Sequence, residues 1–170
     1  EVTSLVDRVF PEHYGSATDF RYPTSHEEAR EWLDEFLQIR LDKFGDYEDS
    51  LSVRERTIYH GLLTPMLNTG LLTPSEVVER TLERHAVSPV PLNSLEGFLR
   101  QIVGWREFMR YVGEEMPEPE EAPNPLGNHR TLKECWWTAE TGLPPLDLVI
   151  RRALDHAYAH RVGPHAPAQP

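Results

Sequence analysis

Leu95-Glu96-Gly97-Phe98-Leu99-Arg100-Gln101-Ile102-Val103-Gly104-Trp105-Arg106-Glu107-Phe108 reads as an apolar helix that carries a tryptophan where few helices spend one. Leu95, Leu99, Ile102 and Val103 recur at helical spacing and make one apolar side. Asn93 followed by Glu96 predicts a capping box at the start, and the pattern predicts an end near Tyr111-Val112-Gly113. The triplet Trp105-Arg106-Glu107 then has two readings. In one, Trp105 is core and Arg106-Glu107 is a surface ion pair worth under about 1 kcal/mol. In the other, the tryptophan is exposed for binding.

The helical period continues on either side of this stretch. Ser25 with Glu28 predicts a capped start for a helix carrying Ala29, Trp32, Leu33, Phe36 and Leu37. Thr73 with Pro74 and Glu76 predicts another, carrying Val77, Val78, Thr81 and Leu82. Ile58 through Leu67 is apolar enough for a buried helix, which Pro65 must kink or restart because it has no N–H, leaving a place for a phosphate-sized opening. Pro144-Pro145 starts a last helix with Leu146, Val149, Ile150, Ala153, Leu154 and Ala157 on its apolar side. No segment alternates as a strand would, and no repeat is present, so the fold class expected is all-α. Residues 113–125 are acidic and proline-rich and predict a solvated connection, and residues 163–170 predict a disordered tail.

Composition narrows the function classes. The chain of 170 residues with 39% hydrophobic content is long enough for one domain with a sizeable core. A net charge of -11 argues against general nucleic-acid binding, so any DNA contact must be local. The single cysteine, Cys135, excludes an intrachain disulfide framework and a self-contained Cys-rich metal cluster, and fits a reducing cytoplasm. No apolar run reaches membrane-span length and no signal pattern opens the chain, so a soluble, cytoplasmic protein without membrane partners is expected. His156 and His160 are spaced as metal ligands on one helix face, but no glutamate follows His156 and no third ligand is evident, so no metal site is expected.

Three motifs in order carry a family resemblance. Gln101-Ile102-Val103-Gly104-Trp105-Arg106-Glu107-Phe108 resembles the Gln-Ile-x-Gly-Trp-Arg-Glu-Phe helix of the photolyase/cryptochrome family. Leu62-Leu63-Thr64-Pro65-Met66-Leu67-Asn68-Thr69-Gly70-Leu71-Leu72 resembles its Leu-Ser-Pro-Tyr-Leu-x-x-Gly-x-Leu element. Trp136-Trp137-Thr138-Ala139-Glu140-Thr141-Gly142-Leu143-Pro144-Pro145-Leu146-Asp147, running on to His160, is similar to a third. The position of Gln101 favours the prokaryotic branch of (6-4) photolyases and iron-sulfur bacterial cryptochromes. Phe10-Pro11-Glu12-His13-Tyr14-Gly15-Ser16 resembles the linker after an antenna-binding domain. The resemblance therefore implies residues 1–24 as a linker behind a missing antenna domain, residues 25–162 as the first half of an FAD-binding helical domain whose remainder is missing, and residues 163–170 as tail.

What the resemblance implies about function follows residue by residue. The parent protein would be a light-dependent DNA photolyase, in which excited reduced FAD donates an electron to a flipped pyrimidine dimer in UV-damaged DNA, with the (6-4) type favoured. The alternative is a non-catalytic cryptochrome-like flavin photoreceptor or a cofactor-free helical interaction module. A flipped dimer needs a flat aromatic wall and polar groups that read its edges, and the resemblance gives Trp105 the wall and Gln101 the edge. Arg106 would contact a phosphate or the flavin, held by Glu107, and Gln101 lies beside the flavin as well. The Thr64 hydroxyl would bind the flavin diphosphate, while Gly61 stands where relatives carry a second hydroxyl. Tyr47 would pack near the ribityl and phosphate region. Trp136 and Trp137 would hold the solvent-proximal end of an electron-transfer chain, with Trp137 the better fit. His160 begins a His-His pair whose second member donates a proton to the lesion, but Arg161 takes that second place, and arginine does not titrate near neutral pH. Pro145 stands where a cluster cysteine would, so no iron-sulfur cluster is expected. The chain alone is expected to bind FAD weakly or not at all and, with apolar faces around Val149, Ala153 and Leu154 left without their partners, to self-associate.

Overall fold

The structure is a computed structural model that describes residues 2–13, 15, 17, 20–50, 52–55, 57–115, 127 and 129–156. The acidic stretch from 116 to 126, His160 and the tail at 163–170 lie outside these residues. Among the described residues there is no strand, and the helices in chain order are α1 (Val2–Val9), α2 (His26–Ile39), α3 (Leu41–Tyr47), α4 (Thr64–Thr69), α5 (Pro74–Val87), α6 (Leu92–Glu115), α7 (Cys135–Thr138) and α8 (Pro144–His156). The all-α expectation holds. The chain divides into two compact units, one of Tyr22–Ser50 and Thr57–Gly127, the other of Glu1–Arg21, Leu51–Arg56 and Asn128–Pro170. The span 25–162 therefore contributes to both.

The Tyr22–Ser50 and Thr57–Gly127 unit contains α2 to α6. Ser25 opens α2 as expected: its hydroxyl accepts from Glu28 N at 3.2 Å and the Glu28 carboxylate reaches back to Ser25 N at 3.2 Å. The Thr73 hydroxyl likewise accepts from Glu76 N at the start of α5. The box expected at Asn93 does not form. Helix α6 starts two residues before the Ser94 that a cap at Asn93 requires, at Leu92 after Pro91, and the Asn93 amide turns sideways to donate to Asp46 Oδ1 at 2.8 Å. The long helix expected over Ile58–Leu67 is also reduced to α4. Ile58 and Leu62 have left-handed backbones, with φ of 45° and 56°, so the chain ahead of Pro65 is folded as turns. The Trp32 indole donates to the Gly61 carbonyl at 2.8 Å and fixes this loop on α2.

The core of this unit joins Ala29, Leu33, Phe36 and Leu37 of α2 to Leu41 and Phe44 of α3 and to Leu95, Phe98 and Ile102 of α6. The rings of Phe36, Phe44 and Phe98 meet pairwise at 4.8 to 6.4 Å, the range in which tilted and edge-to-face pairs are favourable. Helices α3 and α6 come closest where Gly45 crosses Asn93 and Ser94. A Cβ at position 45 would lie 2.6 Å from Asn93 C and from Ser94 N. Ser94, fully buried, accepts from Gly45 N at 2.9 Å and donates to Asp42 O at 3.1 Å, so its hydroxyl is satisfied twice within the crossing.

The other unit contains α1, α7 and α8. Asp147, on the first turn of α8, accepts from both the backbone N–H and the hydroxyl of Thr141, at 2.8 and 2.5 Å, and closes the Thr141-Gly142-Leu143 turn. The Thr141 hydroxyl bond, helped by backbone N–H groups, holds this carboxyl below its ordinary range. Arg152 on α8 donates to the carbonyls of Ser52 and Val53 at 3.0 and 3.1 Å. None of the residues of α1 is buried.

Candidate functional site

Of the expected ligand-contacting residues in the α2 to α6 unit, Gln101, Trp105 and Arg106 lie along one helix, with Tyr47 on α3 and Thr64 on α4. The first half of α6 is held by the core through Leu95, Phe98 and Ile102, and the second half presents Val103, Trp105, Phe108, Met109 and Tyr111 as exposed apolar side chains. Trp105 is 51% exposed, which removes the reading of it as a core residue. Its indole meets the Phe108 ring edge-on, with centroids 6.0 Å apart and planes at 88°. Gln101 lies one turn before Trp105 on the same side, because residues four apart are neighbours on a helix surface.

Each polar candidate on α6 has a defined partner. The Gln101 amide donates to Glu48 Oε1 at the end of α3. Arg106 Nη2 donates to Asn68 Oδ1 at 3.3 Å, which ties α6 to α4. Glu107 does not hold Arg106 as expected. Its Oε2 accepts from Arg110 Nε and Nη2 at 3.1 and 3.0 Å, since residues three apart on a helix face each other and adjacent ones do not. Arg100 pairs with Glu96, and Arg110 with both Glu107 and Glu114. Among the described residues Arg106 is the arginine of α6 that meets no carboxylate, its bond to the neutral Asn68 leaving its charge uncompensated.

Thr64 opens α4 with its hydroxyl exposed, followed by Pro65 in the first turn. Asn68, which accepts from Arg106, stands one turn further along the same short helix. Gly61, where a second hydroxyl was looked for, is buried. A Cβ there would lie 3.2 Å from Leu63 Cγ and 3.3 Å from Phe36 Cγ, so the position serves packing. Tyr47 closes α3 and is half-exposed, its ring 5.0 Å from that of Tyr59. It neighbours Glu48 in sequence, which places it at the Gln101 end of the same helix contact.

The structure brings Tyr47, Thr64, Gln101, Trp105 and Arg106 into one unit. Trp136 and Trp137 belong to the other, on α7, and both are exposed. His156 closes α8, and His160 lies outside the described residues. Among the described residues no group of three or more His, Cys, Asp or Glu side chains stands at metal-ligand spacing. Nor is any helix there long and apolar enough to cross a membrane.

Two contacts were not foreseen. Asn68 lies in a motif already singled out and one turn from Thr64, so helical spacing was the available signal. Glu48 follows Tyr47 directly, but as one of 28 acidic residues it carried none. Chemically, the unit offers an exposed indole, an amide held by a carboxylate, a guanidinium that meets no carboxylate and an exposed threonine at a helix start. Such a set suits a planar ring system with an anionic group nearby.

No family model matches the sequence. The chain is 32% identical over 162 residues to a (6-4) photolyase of Agrobacterium fabrum, a match that covers 95% of this chain and 32% of that protein. It is also 33% identical over 115 residues to an uncharacterized protein, R853, of Acanthamoeba polyphaga mimivirus, covering 65% of this chain and 84% of that one. The chain thus spans about a third of the length of the bacterial relative and most of the viral one.

Proposed function

Because this chain is a relative of the photolyase family, we propose that it forms part of a light-dependent, FAD-containing DNA photolyase-like protein that acts on UV-induced pyrimidine dimers, with the (6-4) type favoured by the bacterial relative. The observation that carries the reading is the α6 surface: an exposed Trp105, Gln101 one turn before it, and an arginine with no carboxylate tied to the helix that Thr64 opens. In this reading Trp105 stacks against the flipped base and Gln101 hydrogen-bonds its edge. Arg106 and the Thr64 hydroxyl suit the flavin diphosphate, and Tyr47 lies at the ribityl side. FAD, when bound, supplies the light-excited electron. Trp137, with Trp136, serves as an entry point for electrons, and His160 precedes the proton-donor position, which Arg161 fills in this sequence.

The net charge of -11 makes DNA contact local, carried by stacking and by few phosphate contacts. The chain by itself is proposed to bind FAD weakly or not at all, because ordering a partly formed cradle costs about 1–2 kcal/mol per backbone residue fixed. No iron-sulfur cluster is proposed for it. The second reading, in which the chain is a helical interaction module without a cofactor, makes the opposite prediction for flavin binding.

Flavin titration followed by fluorescence quenching, then illumination of damaged oligonucleotide in reductant, separates these readings. Saturable FAD binding by a chain of the bacterial relative's full length carrying these residues, weakened by Arg106→Ala and Thr64→Val, supports the photolyase-like reading. Absence of flavin binding both to this chain and to a chain of the bacterial relative's full length carrying these residues would sink it in favour of the module.

A further inference from the structure

We propose that Glu48 is a positioning residue that fixes the Gln101 amide with its carbonyl outward, so that this position reads an N–H donor on a base edge, the imide of a thymine-type ring, and disfavours a ring-nitrogen acceptor such as that of cytosine. The inference rests on the reading of Trp105 as a base-stacking wall.

A glutamine side chain is ambiguous as a reader, because it carries a donor and an acceptor of nearly the same shape and can flip between them. Here the ambiguity is removed. An ionised carboxylate only accepts, so the bond between Gln101 and Glu48 requires the NH₂ group to face Glu48. The carbonyl Oε1 meets no donor among the described residues, yet it is not sealed. Among those residues Arg40 Nε alone is a buried side-chain nitrogen or oxygen without a partner. Oε1 is therefore not sealed from solvent, on a half-buried residue one turn before the half-exposed indole of α6.

Glu48 is itself held in place. Its carbonyl lies 3.1 Å from His60 Nε2, and its carboxylate rests against Gly97, where an added Cβ would come within 3.2 Å of Oε2. Gly97 thus leaves the space the carboxylate needs to reach Gln101. A base stacked on Trp105 would meet the outward carbonyl with its edge. A thymine imide N–H completes a hydrogen bond there, whereas at the same ring position cytosine presents the N3 lone pair and must shift along its edge to bring its N4 amino donor to the carbonyl.

The test uses the full chain and two readouts. In side-chain amide NMR spectra, the two Gln101 Nε2 protons should be widely separated, with the carboxylate-bonded one moved downfield. Glu48→Ala should narrow that separation to that of a solvent-exposed glutamine without changing the far-UV circular dichroism, and Gly97→Ala should narrow it in part. Titration with thymidine, N3-methylthymidine and cytidine, followed at the Trp105 indole N–H, should show thymidine favoured by about 3- to 10-fold, the range expected of one hydrogen bond. Glu48→Gln should abolish the preference. The exchanged pair Glu48→Gln with Gln101→Glu should restore it, because an acceptor again faces outward.

A Gln101 amide whose two protons are no further apart in the wild-type chain than in Glu48→Ala overturns the positioning role. A wider separation in the wild-type chain with equal binding of the three nucleosides overturns the base preference. A wider separation with no nucleoside acting on Trp105 overturns the stacking wall of the proposed function, and the base preference with it, while leaving the Glu48 contact established.

Discussion

Replacing Gly45 by alanine tests whether α3 and α6 cross as closely as described. The new Cβ would lie 2.6 Å from two backbone atoms of α6 and 2.8 Å from Asn93 Nδ2, about 1 Å inside ordinary carbon contact. Backbone cannot rotate aside as a side chain can, so α3 must lift off α6. Lifting stretches the Gly45 N to Ser94 Oγ bond and loosens the Phe44 to Phe98 ring contact. Overpacking of this kind costs about 1–3 kcal/mol, and loss of a hydrogen bond to a buried hydroxyl about 1 kcal/mol more. Alanine returns about 1 kcal/mol of helix propensity, for a net loss of about 2 kcal/mol. In urea unfolding followed by far-UV circular dichroism, that is a midpoint lowered by about 1 M. Gly113→Ala is the control: position 113 lies in the same α6, has open space around its would-be Cβ, and should gain up to about 1 kcal/mol. If both variants move the midpoint upward, the close crossing is wrong.

Three further outcomes follow from the same contacts. Ser25→Ala removes one arm of the α2 capping box and should lower stability by about 1 kcal/mol in thermal unfolding; an unchanged melting temperature would show the cap to be idle. Gly61→Ser, which restores the hydroxyl that resemblance leads one to look for, should lower stability by about 1 kcal/mol because it crowds Phe36 and Leu63, and should not tighten flavin binding; a gain in either measurement contradicts the packing role. The Glu76 carboxyl is held below its usual 4.5 chiefly by its bond from Arg30, and Asp147 below 3.8 by Thr141. Lowered carboxylate pKa values stabilise the fold fully above those ordinary values and lose that contribution as pH falls through the folded ones, so unfolding midpoints should drop between about pH 4.5 and lower pH. Glu76→Gln should flatten that slope; an unaltered slope would place its origin elsewhere.

Much of this fold is legible because its signals are local. Ser25 and Thr73 cap their helices through residues three positions away, and both are readable in a single glance along the chain. Asn93 has the same local pattern with Glu96, but its amide finds Asp46, 47 residues distant, and that competition is invisible without the packed α3. Likewise, the apolar run at Ile58–Leu67 carries a helical composition. The structure instead bends it at Ile58 and Leu62, and the Gly61 carbonyl receives the Trp32 indole from 29 residues away. At the candidate site, the exposure of Trp105 follows from its odd place on an apolar helix. The partners of Gln101 and Arg106 lie 53 and 38 residues away, so only tertiary structure reveals them.

Helix α6 has 24 residues and is about 36 Å long at 1.5 Å per residue, and it behaves as a cantilever. Its root is gripped by the core as far as Ile102, and the Arg106 bond to Asn68 is its last hydrogen bond to another element among the described residues. Angular play at such a root grows linearly with reach. A tilt of about 5° displaces the axis at Trp105, three residues beyond Ile102, by about 0.4 Å, and at Tyr111 by about 1.2 Å. Trp105 and Gln101 thus occupy the stiff end of the beam, where placement is held to a fraction of an ångström. Phe108, Met109 and Tyr111 sit toward the free end, where the same sequence yields compliance and can accommodate an opposing surface of less definite shape.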